Sequence, residues 1–484
     1  MSVTLRGNSC QRVLVATLLT LLVIVGLALL PGIQAPSHAA VYDAEELGVV
    51  RLINQYRASH GLDPLYVSDA LSKASTRHNL DMGRYSFVSH SSERSDFFPS
   101  GYQFWQRLAA MGYGSGIMGE NIAAGLPLMS ASSVFAAWKS SPGHNSQMLG
   151  ADYKAVGVSC DYVAGSEFGV YWTTDFGGEI DSTARPVDRA GVRTTLTGQD
   201  RYQTAIMVSQ KGFPKGAPVV VVVKGDDFPD ALAAAPLAAA FGGPVLLTPS
   251  GGLTTAVKAE LKRLAPRTVF FIGLKDSVKS GITSAVPNAT ITTIRGNDRY
   301  ETATLIADRL RSRLGGIDRV VLVPGDRYPD ALSVAPLAAE KGWAILLTPQ
   351  SGSVPAVTTR MIQSLGATSA LVVGTWAKPP IAASQVTYKV GNDRYHTSAM
   401  VAAYASSQGL SFAHVALATG ENYPDALVVG PYLAKDGGIL LLTQTNAIPT
   451  PVADQLAAHR AGVTALDLVG LPGSVATRAK MILQ

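Results

Sequence analysis

The stretch Gly198-Gln-Asp-Arg-Tyr202 occurs in three versions in this chain of 484 residues. It returns as Gly296-Asn-Asp-Arg-Tyr300 and as Gly391-Asn-Asp-Arg-Tyr395. Two further strings follow it each time in the same order, Pro-Asp-Ala-Leu from residues 229, 329 and 424, and Leu-Leu-Thr from residues 246, 346 and 441. Three landmarks in one order indicate three homologous units, each much longer than the unit of a solenoid repeat.

Each unit predicts strands that alternate with helices. An apolar strand such as Val219–Val223 ends in Gly-acid-x-aromatic-Pro-Asp, and an Ala/Leu-rich helix such as Asp230–Ala240 follows. Then come a short strand with the Leu-Leu-Thr string, a helix such as Leu253–Leu264 and an apolar strand such as Val269–Ile272. This alternation favours an α/β fold with a parallel sheet covered on both faces. The units are placed at residues 193–289, 290–385 and 386–484.

The residues before the repeats are predicted to form a separate domain, 40–180. It opens with an amphipathic helix over Ala44–Ser59 and closes with strands over Ala155–Cys160 and Phe168–Phe176. Residues 181–192 are predicted to be the linker to the repeats, because turn-forming and charged residues gather there.

Residues 1–39 have the layout of a secretory signal peptide. Two arginines precede an unbroken apolar stretch, and Ser37 and Ala39 are the small residues that a cleavage site requires. The apolar stretch Val13–Leu30 has 18 residues, the threshold for a membrane span, so an uncleaved signal anchor is the alternative. Both interpretations place the rest of the chain outside the cytoplasm, because the positive end stays inside. No other segment predicts a membrane span.

The composition excludes several classes of protein. Hydrophobic residues make up 47% of the chain and charged residues 15%, which excludes a disordered protein. The two cysteines, Cys10 and Cys160, exclude a disulfide-stapled fold and a cysteine-rich zinc site. Cys160 is predicted to be a small buried hydrophobic residue. The net charge of +5 is too mild to indicate nucleic acid binding.

The charge is divided unequally along the chain. Residues 41–180 hold 9 basic and 14 acidic side chains, a net charge of −5, whereas residues 181–484 hold 29 and 21, a net charge of +8. Arg6 and Arg12 supply the remaining +2. An acidic domain joined to a basic repeat region favours a polyanionic partner for the repeats.

Four short strings stand out in the first domain. They are His78-Asn-Leu-Asp-Met82, Ser89-His-Ser91, Gly119-Glu-Asn-Ile122 and Trp138-Lys-Ser-Ser-Pro-Gly-His144. Together with Tyr171-Trp-Thr-Thr-Asp-Phe176 they resemble the CAP superfamily of SCP-like secreted domains over about residues 46–176. The resemblance implies an α-β-α sandwich with two histidines and two glutamates in a central cleft.

In this sequence the resemblance assigns the cleft to His90, Glu120 and His144. The second glutamate is missing, because the stretch where it is expected reads Lys139-Ser-Ser141. Two imidazoles and a carboxylate suit a divalent metal such as zinc, general acid–base catalysis or a structural role, and the sequence leaves these three open. His78 is predicted to lie on a helix surface, and no nucleophile motif accompanies the cleft.

The repeats resemble the cell-wall-binding repeat 2 family over residues 193–484, on the Gly-x-Asp-Arg-Tyr-x-Thr and aromatic-Pro-Asp-Ala-Leu strings. The resemblance implies Toprim-like α/β modules in a pseudo-threefold arrangement, held non-covalently on a Gram-positive wall through an anionic polymer. The candidate polymer contacts are Arg201, Arg299 and Arg394, because guanidinium grips phosphate bidentately. Alternatively, each Asp-Arg-Tyr string forms an internal ion pair and begins a helix with the aspartate as N-cap.

Each unit also carries two acids around its aromatic-Pro-Asp string. They are ordinary residues of a helix start or, alternatively, ligands of a cation. The pairs are Asp226/Asp230, Asp326/Asp330 and Glu421/Asp425.

These observations predict a secreted surface protein that three repeats hold on the cell wall and that displays a CAP domain of unassigned ligand. Display without catalysis is favoured over an enzyme. The alternatives are a metal-dependent hydrolase or wall-remodelling enzyme in the cleft, and a carrier of lipid or another small ligand. The expected partners are an anionic wall polymer and, at the CAP domain, a peptide, lipid or host ligand, with no nucleic acid.

Overall fold

The computed structural model describes residues 40–484, and the predicted signal segment lies outside them. The fold is α/β, with an N-terminal domain followed by three parallel-sheet units, as the sequence predicts. Within the described residues, no helix is both long enough and apolar enough to cross a bilayer.

The N-terminal domain is an α-β-α sandwich. Its elements are β1 (Val41–Tyr42), α1 (Ala44–Ala58), β2 (Tyr66–Val67), α2 (Asp69–Tyr85), α3 (Phe104–Ala110), β3 (Met118–Ala124), α4 (Ala131–Ser140), α5 (Pro142–Met148), β4 (Ala155–Tyr162) and β5 (Val170–Gly177). A mixed sheet has the order β2-β4-β5-β3, so β3 is an edge strand. Helix α2 packs on one face, while α1 and α4 cover the other through a core that includes Ile53, Val134 and Trp172.

The repeat region alternates strands and helices throughout. Its elements are β6 (Gly191–Leu196), α6 (Arg201–Gly212), β7 (Val219–Lys224), α7 (Ala234–Ala240), β8 (Val245–Thr248), α8 (Thr255–Leu264), β9 (Thr268–Ile272), α9 (Asp276–Ala285), β10 (Thr290–Ile294), α10 (Arg299–Leu314), β11 (Arg319–Pro324), α11 (Pro329–Lys341), β12 (Ala344–Thr348), α12 (Ala356–Leu365), β13 (Ser369–Val373), β14 (Val386–Lys389), α13 (Arg394–Ser407), β15 (His414–Thr419), α14 (Pro424–Leu427), α15 (Gly430–Leu433), β16 (Ile439–Thr443), α16 (Thr450–His459), β17 (Ala465–Val469) and α17 (Gly473–Leu483). The valine run of β7 is buried on both faces, as expected for a central parallel strand.

The three repeat sheets exchange strands. Their orders are β10-β9-β7-β8, β14-β13-β11-β12 and β1-β6-β17-β15-β16, with every pair parallel. Strands β10 and β14 begin units two and three but complete the sheet of the unit before. Strand β6, at the start of unit one, pairs with β17 of unit three, so that Leu196 lies beside Val469. The chain therefore closes into a ring of three units.

Three helices meet at the centre of the ring. Helices α7, α11 and α15 pack on one another at equivalent positions occupied by Ala235, Ala335 and Gly430. A Cβ atom at Gly430 would lie 2.8 Å from the Cβ of Ala235, which leaves no room for a larger side chain. Small residues therefore set how closely the helices approach around the pseudo-threefold axis.

Buried charges join the N-terminal domain to unit three. Lys480 of α17 is 1% exposed, and its Nζ donates to Ser159 Oγ at 2.7 Å and contacts the carboxylates of Glu46 and Asp161. Arg193 of β6 reaches the same Glu46 at 3.4 Å. Glu46 in turn accepts the backbone N–H of Asp43 in the capping box that begins α1. The start of the first helix is thus tied to the last helix of the chain.

A second polar cluster lies where unit three closes on unit one. His414 Nδ1 lies 2.7 Å from Asp436, and its Nε2 lies 2.9 Å from Asp467. Tyr432 and Lys211 of α6 also contact Asp467. Burial lowers the pKa of a histidine, but the hydrogen bonds to Asp436 and Asp467 outweigh burial and raise the pKa of His414 to about 9.

Replacing Lys480 with alanine is expected to lower the free energy of unfolding by about 3–5 kcal/mol, because Glu46 and Asp161 lose a buried counter-charge. Urea unfolding followed by tryptophan fluorescence measures the change. The matched control is Lys258→Ala on the exposed face of α8, which should change the free energy by less than about 0.5 kcal/mol. Equal effects of the two substitutions would contradict the stabilising role of Lys480.

Alkaline pH is expected to weaken the closure of the ring. His414 takes up a proton at a higher pH in the folded protein than in the unfolded chain, so its stabilisation is complete below about pH 6.5. Between about pH 6.5 and 9 the free energy of unfolding should fall by about 3 kcal/mol. The variant His414→Gln should lose this pH dependence, while His60→Gln at an exposed turn should keep it. Urea unfolding at a series of pH values tests this, and an unchanged slope in His414→Gln would overturn it.

Candidate functional site

The candidate cleft is built on the edge strand β3. Glu120 lies in this strand, directly opposite Asp175 of β5. The Glu120 side chain is inaccessible, and its Oε2 accepts a hydrogen bond from Arg107 of α3 at 2.5 Å. Its Oε1 lies 2.8 Å from His90 Nδ1. The structure thus brings His90 and Glu120 into contact and adds Arg107, which the sequence analysis does not single out.

Opposing effects decide which carboxyl group in the cleft is ionised. Burial raises the pKa of Glu120, but the charge of Arg107 and the hydrogen bond from His90 outweigh it, so the net shift is downward. Burial, followed by the charge of Glu120, raises the pKa of Asp175 well above its usual value. The pKa values of the two carboxyl groups therefore shift in opposite directions, and Glu120 is the stronger acid of the pair. Ser75 fixes Asp175 with a hydrogen bond of 2.6 Å.

His90 is the accessible member of the cluster, with 52% of its side chain exposed. Because Glu120 occupies Nδ1, the nitrogen that remains for a ligand is Nε2. An exposed imidazole acts as a general base in enzymes when a buried carboxylate holds it in the correct orientation. The pair can therefore take a proton from a bound hydroxyl group or water molecule.

His144, the third predicted residue, lies near this pair without joining it. Burial and then the charge of His90 lower the pKa of His144. Across residues 40–484, no hydrogen bond links the His144 ring to His90 or Glu120. Asn121 of β3 donates instead to the backbone oxygen of His144 at 3.0 Å, which fixes α5 beside the strand. Lys139, where the family's second glutamate is expected, lies with its Nζ 4.5 Å from the ring centre of Tyr56.

The donor set does not fit a divalent cation in this geometry. Both oxygens of Glu120 are occupied, one by His90 and one by the buried guanidinium of Arg107. A cation at Glu120 would meet the positive charge of Arg107 at close range. In the part of the chain that the structure describes, no group of three or more His, Cys, Asp or Glu side chains is arranged to hold a metal. Zinc at His90, Glu120 and His144 stays a prediction.

His78 lies inside the domain, and its predicted place on a helix surface is wrong. The residue is fully buried, and its Nε2–H donates to the carbonyl oxygen of Ser89 at 2.8 Å. Burial is the main cause that lowers the pKa of His78 to about 4. The spacing Leu71, Ala74, His78, Met82 follows the buried face of α2, which is the signal that identifies its position. His78 supports the loop that carries His90.

Cys160 is half-buried at the edge of the N-terminal core, which agrees in part with its prediction as a buried hydrophobic residue. Burial raises the pKa of its thiol. A thiol that stays protonated is a poor nucleophile, so the cleft gains no reactive cysteine from it.

The predicted arginines lie at the carboxyl edge of the repeat sheets. Each donates a hydrogen bond from NH1 to the carbonyl oxygen of the glycine that follows β7, β11 or β15. The pairs are Arg201–Gly225 at 2.7 Å, Arg299–Gly325 at 2.6 Å and Arg394–Gly420 at 2.5 Å. The aspartate before each arginine is an N-cap, which confirms that the string begins a helix. All three arginines are half-buried.

The aromatic residues of the three units meet beside these arginines. The ring centres of Phe228, Tyr328 and Tyr423 lie 5.4 to 5.7 Å from one another. Arg201 donates to the Tyr423 hydroxyl at 3.1 Å, and Arg394 lies 3.5 Å from the Tyr328 hydroxyl. Each of these two arginines therefore contacts the aromatic residue of the preceding unit around the ring.

The two acids of each unit have different partners. The first acid binds the loop after β8, β12 or β16; Asp226, for example, accepts the backbone N–H of Ser250 at 3.1 Å. The second acid packs on the glycine with positive φ after β9, β13 or β17, where an added Cβ would lie 2.1 to 2.3 Å from the carboxylate. These contacts join Asp230 to Gly273, Asp330 to Gly374 and Asp425 to Gly470. The acids thus join loops of the carboxyl edge, and a cation between them stays a hypothesis.

Two family models match the chain. The cysteine-rich secretory protein family, CAP, matches residues 50–176, and cell wall binding domain 2 matches residues 195–283, 293–377 and 390–480. The second set covers more than half of the chain.

Individual relatives show the same architecture in part. N-acetylmuramoyl-L-alanine amidase LytC of Bacillus subtilis is 30% identical over 263 residues, which are 52% of this chain and 50% of that protein. The amidase enhancer of the same organism is 24% identical over 295 residues, which are 60% of this chain and 40% of that protein. The chain therefore spans half or less of the length of these relatives.

A solved structure supports the fold of the repeat ring. Cwp6 from Clostridium difficile superimposes with a TM-score of 0.55 and 27% identity, over 61% of this chain and 48% of that protein. The strand exchange, the helix starts and the three family matches agree with one another. The chain therefore belongs to the cell wall binding domain 2 family, as a surface protein in which three such domains follow a CAP domain.

Proposed function

We propose that the three repeat units hold this protein non-covalently on the cell wall by binding an anionic wall polymer, and that the CAP domain is displayed outward. The family match makes the protein wall-associated, and the charge of the chain supports an anionic partner. Residues 181–484 carry a net charge of +8, whereas residues 41–180 carry −5. A polyanion is therefore attracted by the repeats and repelled by the CAP domain.

The carboxyl edge of the ring is the proposed contact surface. A guanidinium has five N–H donors, and each of the three arginines uses NH1 to hold its own unit. In this proposal, the donors of Nε and NH2 bind the oxygens of phosphate or carboxylate groups. Three related arginines on one ring would then bind three groups of the same polymer.

Substitution of Arg201, Arg299 and Arg394 by glutamine in one variant is expected to weaken binding to purified walls more than tenfold, about 1.4 kcal/mol or more, because charge-assisted hydrogen bonds are lost. Sedimentation of the secreted protein with walls, at increasing salt, measures the binding. The charge-matched control replaces three exposed basic residues of outer helices, Lys258, Lys262 and Arg360, with glutamine.

The control variant should lose less than threefold in affinity. Walls from which the anionic polymer has been removed should bind neither the wild type nor the variants. Binding that is insensitive to salt and persists on bare peptidoglycan would contradict the proposal. Melting temperatures of both variants show whether a loss of binding reflects a loss of folded protein.

One observation favours a second function, a hydrolase in the CAP cleft. The exposed His90 is oriented by the buried, ionised Glu120, which is the geometry of a general base. The cleft offers no nucleophilic side chain with a paired base, so the attacking group would be water. The substrate would be a bond of the wall or of a peptide that reaches the cleft.

The variant His90→Gln tests this second function. General base catalysis contributes on the order of a hundredfold or more, so release of soluble fragments from dye-labelled walls should fall by about that factor. The control is His60→Gln, which removes an exposed histidine far from Glu120 in sequence. Equal release by the wild type and His90→Gln, or no release by the wild type on wall and peptide substrates, would leave display as the function.

A further inference from the structure

The sheet of unit two carries a loop that the other two sheets lack. Helix α9 follows β9, and helix α17 follows β17. After β13 the chain reads Gly374-Thr-Trp-Ala-Lys-Pro-Pro380, and between β13 and β14, where the structure describes every residue, it forms only one short 3₁₀ turn, Ala383–Gln385. Each proline disfavours the helical conformation at the residue before it. The loop 374–385 therefore stands where the other sheets have a helix.

This loop exposes an aromatic pair. Trp376 is 68% exposed, and its ring centre lies 5.5 Å from that of Tyr388 in β14, with the ring planes inclined by 31°. The other two sheets have no aromatic residue at either position. They carry Thr195 and Thr293 in the register of Tyr388, and Pro472 and Lys275 at the place of Trp376. Both members of the pair are therefore specific to the sheet of unit two.

Hydrogen bonds hold the loop that carries the indole. Gln350 Nε2 donates to the carbonyl oxygen of Gly374 at 3.1 Å, and Thr375 Oγ1 donates to the carbonyl oxygen of Gln350 at the same distance. The Tyr388 hydroxyl donates to the carbonyl oxygen of Ala377 at 3.2 Å. The residues on both sides of the indole are thus fixed, although the indole itself faces solvent. A ligand that stacks on it meets a loop that is already ordered.

The aromatic pair lies at the carboxyl edge of the ring. Gly374 packs on Asp330, because an added Cβ at this glycine would lie 2.1 Å from the Asp330 carboxyl carbon. Asp330 comes two residues after Tyr328, whose hydroxyl lies 3.5 Å from Arg394. Lys378, two residues after the indole, is exposed. The pair is therefore on the same edge as the proposed polymer contacts.

We propose that Trp376 and Tyr388 form a platform on which one sugar ring of the anionic wall polymer stacks, which makes that polymer a glycan. The inference rests on the proposed function of the repeats. One face of a pyranose ring presents C–H groups, and such groups are attracted to the electron-rich face of an aromatic ring. A chain of phosphate and polyol groups has no flat apolar face of this kind. Lys378 supplies a positive charge beside the platform for an acidic group of the polymer.

The first test is the substitution Trp376→Ala in the full-length secreted protein. Its affinity for the anionic polymer, released from purified walls and measured by titration calorimetry, should fall by about fivefold, because the stacking contact is lost. Trp376→Phe should bind more like the wild type than like Trp376→Ala. The control is Trp105→Ala in the CAP domain, which removes an indole that is 48% exposed and should leave the affinity unchanged. Equal melting temperatures show that the variants are folded.

The second test separates stacking from charge. Salt screens ionic contacts but not a contact between neutral groups, so Trp376→Ala should lower the affinity by the same factor at low and high salt. Sodium polyphosphate is a polyanion without sugar. It should bind the wild type and Trp376→Ala equally, and it should bind the variant with glutamine at Arg201, Arg299 and Arg394 more weakly.

The outcomes distinguish the platform from wall attachment as such. Equal affinities of the wild type and Trp376→Ala for the polymer would overturn the platform and leave attachment through the arginines intact. Weaker binding of polyphosphate by Trp376→Ala would overturn it too, since the indole would then act without a sugar. Binding to polymer-free peptidoglycan that depends on Trp376 would contradict the assignment to the anionic polymer. A wild type that does not bind the polymer at all would reject the proposed function and, with it, this inference.

Discussion

The ring depends on hydrogen bonds between each sheet and a strand that the chain supplies from the following unit. Without that strand, β9, β13 and β17 would expose a row of unpaired backbone groups along one edge. For units one and two the missing strand follows directly in sequence. For unit three it comes from β6 at the start of unit one, and Leu196 therefore pairs across the ring with Val469. No sheet is built from one unit alone, and in this chain the closed ring of three units completes all three sheets.

The same constraint fixes the CAP domain. Strand β6, which closes the ring, is extended by β1, the first strand of the N-terminal domain. Buried charges then select one arrangement of the two parts, because Lys480 and Arg193 must both reach Glu46. Such pairs contribute less stability than an equally packed apolar contact, but they penalise every arrangement that leaves a charge unpaired. The predicted linker is part of this junction, since Arg185 within it binds Asp69 and is nearly inaccessible. The cleft therefore keeps one orientation relative to the carboxyl edge of the ring.

Local chemistry made much of this fold predictable from the sequence. The alternation of apolar strands and Ala/Leu-rich helices indicated parallel sheets, and the aspartates before Arg201, Arg299 and Arg394 indicated helix starts. The exchange of strands was not predictable, because a repeat period shows where a strand recurs and not which strand it pairs with. In the cleft, the histidine and glutamate strings were informative, whereas Arg107 lies in a short helix without a motif. The sequence alone placed His78 on a helix surface. Its helical spacing from buried residues, and not its polar side chain, is what indicates that it lies on the buried face.

Sequence identity between the repeats does not make their arginines equivalent. Around the ring, Tyr423 and Tyr328 of the preceding units offer hydroxyl groups to Arg201 and Arg394. Phe228, which holds the corresponding place for Arg299, has no hydroxyl group. The side chain of Arg299 is therefore held by the Gly325 carbonyl without the second restraint, and it loses more freedom when it binds an anion. If a polymer binds this edge as proposed, it would meet two guanidinium groups restrained by a tyrosine hydroxyl and one without that restraint.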